Sequence, residues 1–251
     1  MAGRKYFTLS FDDGLEQDKR ITAILKSYGL RCCTFNLNAG LMGRKRVITQ
    51  TGGFRFAETD DLGLLKDPSV RCARHFRIPK DEIAEVYEGF EIASHTYLHQ
   101  NLLTLSGDAL DECIRRDVSE LEALAGKPVV GFAYPYGGVN AQAIGVLKQY
   151  GIRYARGVKS SRGFGLPEDP YLLSPTCWMI ERDVFELTER FLREEARKED
   201  QVLYVWGHGY EFDLAPGQTG WDGLKRLCEL ICSADDVIPC TNREIYARQV
   251  C

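Results

Sequence analysis

YFTLSFDDGLEQDKRITAILKSYG, residues 6–29, decides the fold. Residues 6–11 are a short apolar run of strand composition, ending on Asp12, Asp13 and the permissive Gly14. Over residues 16–28 the period changes. Ile21, Ile24 and Leu25 fall on one helical face, and Gly29 supplies the stop. A strand followed at once by an amphipathic helix is the repeating unit of an α/β protein.

The alternation continues along the chain. Strands are expected over 31–36, 90–93, 128–134, 152–156, 174–180, 201–206 and 236–239, and helices over 80–87, 108–125, 141–150, 183–197 and 221–234. Helix 108–125 is the clearest, with Leu110, Cys113, Ile114, Val118, Leu121 and Leu124 at helical spacing. Residues 40–70, rich in glycine and charge, have no clean period and read as an insertion or long loop on the substrate side. With no repeat, low-complexity tract or Pro/Ser linker, residues 1–251 read as one domain. Such alternation implies parallel strands with helices outside, as a barrel or an open sheet. In either case the site forms at the C-terminal strand ends.

The polar segments sit at those ends. Asp12 and Asp13 follow Phe11, His95 follows Ala93, Tyr134-Pro135-Tyr136 follows Phe132, Arg156 follows Tyr154, and His208 follows Trp206. At the Asp-Asp-Gly bend strict strand alternation relaxes, so both carboxylates can face one pocket. The bland alternative is a solvated turn. His95 and His99 are four apart, and one helical turn puts both rings on one side. With one carboxylate they make a metal site that leaves positions open for water and substrate. His208, in a Gly-His-Gly context, can bind metal when neutral or donate a proton when charged. The fourth histidine, His75, matches no pattern and reads as structural or exposed.

Composition narrows the partners. The 251 residues are 44% hydrophobic, enough for a sizeable core, with a formal charge of −4 that argues against nucleic acid and anionic membrane. No apolar stretch approaches a membrane span and no leader-like segment is seen, so a cytoplasmic protein is expected. The nine scattered cysteines form no C-x-x-C pair and read as reduced, packed thiols. Oligomeric state is not legible.

Together the segments resemble the polysaccharide deacetylases, the NodB-homology superfamily or carbohydrate esterase family 4. Ser10-Phe11-Asp12-Asp13-Gly14 resembles the first motif and His95-Thr96-Tyr97-Leu98-His99 the second. Phe132-Ala133-Tyr134-Pro135-Tyr136-Gly137 looks like the third, and Val205-Trp206-Gly207-His208 like the last. The resemblance implies a distorted or incomplete (β/α) barrel. It implies that Asp13, His95 and His99 hold a divalent metal, zinc above all, or cobalt or nickel. Asp12 becomes the general base, His208 the general acid, and Tyr136 or the backbone beside it an oxyanion donor.

Two departures stand out. Ala133 occupies the place of the third-motif arginine that orients the base; Arg156, at the next strand end, is the candidate to supply that charge, the alternative being a surface arginine. The Asp and Trp that support the acid histidine are not evident. Trp178 is a possible remnant, and Glu211 or Asp213 the nearest carboxylates. Tyr136, Pro135, Trp206, Tyr210 and Tyr97 are the candidate substrate-binding residues, aromatic rings being good platforms for sugar C–H faces.

The implied activity is metal-dependent removal of acetyl groups from an N-acetylated sugar, such as an N-acetylglucosamine-containing glycan. The rivals are an O-acetyl esterase on a xylan-like glycan, a small-molecule amidase, a silent glycan-binding protein, and a two-carboxylate glycosidase.

Overall fold

The computed structural model describes residues 3–53, 55–194, 198–215 and 219–249. β1 (Lys5–Asp12) leads into α1 (Asp18–Ser27) and β2 (Cys33–Leu37). Three strands, β3 (Lys45–Gly52), β4 (Arg55–Thr59) and β5 (Cys72–Phe76), come before the short α2 (Ile83–Val86) and β6 (Glu91–Ser94). Then follow α3 (Gly107–Ala125), β7 (Gly131–Ala133), α4 (Ala141–Gln149), β8 (Tyr154–Arg156) and β9 (Cys177–Trp178). The chain ends with α5 (Val184–Arg193), β10 (Gln201–His208), α6 (Glu211–Leu214), α7 (Trp221–Cys232), β11 (Val237–Pro239) and α8 (Asn242–Gln249).

The main sheet is parallel, in the order β8-β7-β6-β2-β1-β10-β9. β11 pairs with Lys5 to Phe7 of β1 and β2 with Leu9 to Asp12. The far edge of β8 meets Leu173, just ahead of β9, through a single parallel bridge at Arg156. The sheet is thereby curled into an incomplete (β/α) barrel, the form the resemblance implied and one of the two the strand–helix alternation allowed.

β1 shows why the sequence curls this way. All eight of its residues are buried. Phe7, Leu9 and Phe11 join the layer that includes Ile21 and Leu25 of α1 and Leu224 and Leu227 of α7. Tyr6 instead packs with Val202 and Tyr204 of β10 inside the curl. Below the site the lumen holds polar side chains that pair with one another. Thr8 Oγ1 donates to Asn242 Oδ1 (2.9 Å), Asn242 Nδ2 donates to Tyr204 OH (2.6 Å), and Glu91 accepts from Thr34 and Tyr154 (2.8 Å each). These bonds floor the barrel beneath the site.

Some elements depart from expectation. The strand over 174–180 contracts to Cys177–Trp178. The helix over 183–197 is Val184–Arg193, and residues 195–197 lie outside the described residues. α8 was not expected: its apolar residues, 245–247, are consecutive and give no helical period to read. Residues 45–76 form an antiparallel sheet, β4-β3-β5, which packs through Ile48, Ala73 and Phe56 onto Leu15, Tyr210 and Leu214. Its exposed, charged strands hide the alternation. Among the described residues no helix is long and apolar enough to cross a membrane.

Candidate active site

β1 delivers Asp12 as its last residue. The next residue, Asp13, is held at φ 86° and Gly14 at φ 66°. A left-handed conformation at a non-glycine residue is costly and clusters at functional sites. Here it turns both carboxylates into one cavity of about 520 Å³, which His95, His99, Tyr134, Tyr136, Trp206, His208 and Tyr210 also line. Asp12 and Asp13 are both buried.

His95 and His99 do come together, with ring centroids 4.8 Å apart, but not through a helical turn. Residues 95–99 form an open turn with Thr96 at φ 64° and His99 at φ 57°. Thr96 Oγ1 accepts the Gln100 N–H (2.8 Å), and Asn38 Nδ2 donates to the carbonyls of His95 (2.5 Å) and Thr96 (2.8 Å). Buried Asp117 on α3 accepts from Ser94 Oγ (2.6 Å) and from the His95 N–H (3.1 Å). These side-chain bonds replace the helical ladder that the spacing suggested.

The ring nitrogens are then assigned by their partners. His95 Nδ1 lies 2.7 Å from the Ala133 carbonyl and donates to it, leaving Nε2 as an acceptor. His99 Nδ1 lies 3.1 Å from Tyr136 OH, and its Nε2 faces Asp13 Oδ1. Burial pushes the His95 imidazole down to about 4 and also lowers that of His99, so both rings are neutral at neutral pH.

Asp13 completes the set. Its Oδ1 lies 3.6 Å from His99 Nε2 and 3.9 Å from His95 Nε2, and one donor atom from each residue falls within 4.8 Å of the others. Burial alone would raise the Asp13 carboxyl, but Arg77, His99 and His75 hold it well below the usual range. Oδ1 is buried and has no hydrogen bond. Arg77 Nη1 is 3.0 Å away but directs its two protons to the Asp13 carbonyl and to Asn38 Oδ1. One orphaned anionic oxygen facing two neutral imidazoles is a donor set that fits a divalent ion.

Asp12 is oriented from the other side. Asn36 Nδ2 donates to Asp12 Oδ1 (2.8 Å), and Arg156 Nη2 ion-pairs with the same oxygen. Arg156 is fully buried, not on the surface, and its guanidinium stands 4.9 Å from the Trp206 ring. Asp12 Oδ2 is left 3.9 Å from His95 Nε2.

His208 is the register partner of Asp12 on the neighbouring strand β10, and both line the cavity. Glu211, buried at the start of α6, takes its Nδ1–H at 2.6 Å and its backbone N–H at 3.0 Å. Trp178 Nε1 donates to Glu211 Oε2 at 2.8 Å. Burial would lower the His208 pKa, but the Glu211 charge and hydrogen bond, with Asp13 and Asp12 beyond, raise it to about 9. The ring is a cation at neutral pH. Asp213 is engaged elsewhere, by Gln17 and Trp221.

Of the expected substrate residues, Tyr136, Trp206 and Tyr210 line the cavity, while Pro135 and Tyr97 do not. Tyr136 is exposed and left-handed at φ 59°. Tyr97 packs half-buried against the core, away from the cavity, where Arg116 stacks on its ring and donates to its hydroxyl. The β3–β5 sheet adds lining residues that the sequence did not flag: Arg46, Ile48, Phe56, Glu58 and His75. His75 is buried beside Asp13. A period-2 pattern over residues 72–76 was the only signal for it, blurred by flanking arginines.

Solved structures share the fold at low identity. A Mycobacterium smegmatis protein assigned as a polysaccharide deacetylase superposes with a TM-score of 0.61 at 19% identity, over 100% of this chain and 91% of its own. BA3943, a family 4 carbohydrate esterase pseudoenzyme from Bacillus anthracis, gives 0.56 at 17% identity, over 98% and 66%. The Streptococcus pyogenes deacetylase PplD, solved in complex with acetate, gives 0.50 at 16% identity over 66% of this chain; that match spans 62% of PplD. No curated protein sequence matches the chain. Residues 2–155 match the sequence profile of the family "Polysaccharide deacetylase". With more than half of its length matched, the chain belongs to the polysaccharide deacetylase family.

Proposed function

We propose that this protein is a metal-dependent hydrolase, a single catalytic domain that removes acetyl groups from an N-acetylated sugar such as an N-acetylglucosamine oligosaccharide. Asp13, His95 and His99 would hold the ion; zinc suits one carboxylate with two imidazoles, and cobalt or nickel fits the same donors. When bound, the ion supplies Lewis-acid polarisation of the acetyl carbonyl and activation of water.

The chain's own groups do the rest. Arg156 and Asn36 tie up Asp12 Oδ1, so Oδ2 is the oxygen that accepts a proton from the attacking water. His208, kept charged by Glu211, hands its proton to the departing nitrogen. Tyr136 is the candidate oxyanion donor beside His99.

The observation that carries the reading is the pairing of Glu211 with His208, on the strand next to Asp12. An amine leaves only if protonated, so a dedicated acid favours an amide over an ester substrate. The test is acetate release from chitooligosaccharides and from acetylated xylan, with a chelated control. Chelator-sensitive release from the amide substrate supports the reading. Release from xylan alone makes the protein an O-acetyl esterase. Metal binding without release from any acylated sugar points to a small-molecule amidase or a silent binding protein.

A further inference from the structure

His75 is the histidine that the sequence left without a role. It lies on β5, within the β3–β5 sheet, and is 1% exposed. Its Nε2 is 3.1 Å from Asp13 Oδ2, and its Nδ1 is 3.4 Å from Glu58 Oε1 on β4. Tyr210 packs edge-on against the ring, with centroids 5.4 Å apart. An imidazole buried at this depth needs partners; the question is what its position does for Asp13.

The docking of β5 answers it. Beyond Phe76 the strand continues as a clamp on the loop that carries Asp13. Glu16 N–H donates to the Phe76 carbonyl (2.8 Å), Leu15 bridges antiparallel to Arg77, and Ile78 N–H donates to the Gly14 carbonyl (2.9 Å). On a strand, residues two apart share a face. His75 and Arg77 therefore reach Asp13 together: Arg77 takes its backbone carbonyl, and His75 takes one side-chain oxygen. The other oxygen, Oδ1, is the one without a hydrogen bond, and it faces His95 and His99.

We propose that His75 is a positioning residue for the ion site: its Nε2–H occupies Asp13 Oδ2, fixes the carboxylate plane, and reserves Oδ1 for the metal. This rests on the reading of Asp13, His95 and His99 as the metal ligands. It gives the β3–β5 sheet a task beyond shaping the cavity, because the sheet delivers the residue that orients a ligand.

The test is zinc affinity by competition with a chromophoric chelator, together with the visible spectrum of the cobalt-loaded protein. The proteins are the intact chain, His75→Leu and His75→Gln. Loss of a hydrogen-bond partner to a metal ligand weakens metal binding about 10–100-fold. His75→Leu is expected to fall in that range and to change the cobalt spectrum. His75→Gln, whose amide nitrogen can stand near the place of Nε2, is expected to recover most of both. If His75→Leu does not fold by circular dichroism, His75→Asn replaces it, since its amide stops short of Asp13 Oδ2. Unchanged affinity and spectrum in the folded donor-less variant overturn the inference. So does an equal loss in His75→Leu and His75→Gln, which would make ring shape the cause. Failure of the unsubstituted chain to bind zinc would instead overturn the ligand assignment itself, and the inference with it.

Discussion

Arg156 and Ala133 are register partners across the parallel β7–β8 pair, and Arg156 ion-pairs with Asp12. Residues paired across adjacent strands face the same side of the sheet. The charge that the resemblance places at position 133 is therefore supplied to the same lumen from one strand further along. Ala133 contributes its carbonyl instead, as the acceptor for His95.

Arg156→Ala should leave metal affinity unchanged and cut turnover about 100-fold or more, because Asp12, the proposed general base, loses its orientation. Breaking a buried ion pair also costs about 3–5 kcal/mol of stability, so the variant is assayed well below its melting temperature. Arg156→Ala combined with Ala133→Arg should regain part of the rate. An unchanged rate in the single variant would remove Arg156 from the mechanism.

On the proposed mechanism, the Glu211–His208 pair sets an alkaline limit. In the metal-free protein, an NMR titration should find His208 at about 9. A bound cation lowers that value, and Glu211→Gln should lower it further, shifting the alkaline limb of the rate profile to lower pH. A limb that stays in place after Glu211→Gln would show that another group controls it.

Three buried groups make stability fall as pH rises. Asp18 is raised to about 8 and Asp117 to about 7, both chiefly by burial, and His208 is raised to about 9. For each, the folded state holds a proton that the unfolded state has released, so the stability is full below the unfolded pKa and is lost as pH climbs through the folded value. Metal-free protein should therefore melt lower at pH 8.5 than at pH 5.5. Asp18 offers a clean test. Leu15 N–H and Tyr87 OH both donate to its Oδ2, while Oδ1 is buried without a partner. Asp18→Asn keeps the acceptor and removes the charge, and should stabilise the protein by about 1–3 kcal/mol at pH 8.5 with little effect at pH 5. Equal melting temperatures for the two proteins at pH 8.5 would contradict the burial argument.

Metal removal should be visible without any substrate. An ion present at 100 times its Kd stabilises the folded state by about 2.7 kcal/mol. Chelation should lower the melting temperature of the intact chain and leave that of His95→Ala unmoved. A chelator effect of the same size in both would place the ion elsewhere.

What could be read from sequence was what a local period carries. Asp12, Asp13, His95 and His208 each follow a strand whose composition is plain, so their place at one end of the barrel was legible. Contacts made across the fold were not. Arg156 and Asp12 are 144 residues apart, and only the curl of the sheet brings them together. His75 sits among arginines and reads as structural or exposed; β5 docking on residues 14–16 buries it. Tyr97 was included as an aromatic ring for sugar stacking, yet it packs half-buried against the core, with Arg116 on its ring. Glu211 was visible as a nearby carboxylate, but choosing it over Asp213 required the first turn of α6.

The most direct test separates holding the ion from using it. Zinc- or cobalt-loaded protein is given N-acetylglucosamine oligomers, with Asp12→Asn and a chelated sample alongside, and both acetate release and bound metal are measured. The account predicts release by the intact enzyme, none after chelation, and a loss of about 100- to 10,000-fold in Asp12→Asn with metal still bound. Release that survives chelation, or an Asp12→Asn protein as fast as the parent, would contradict it.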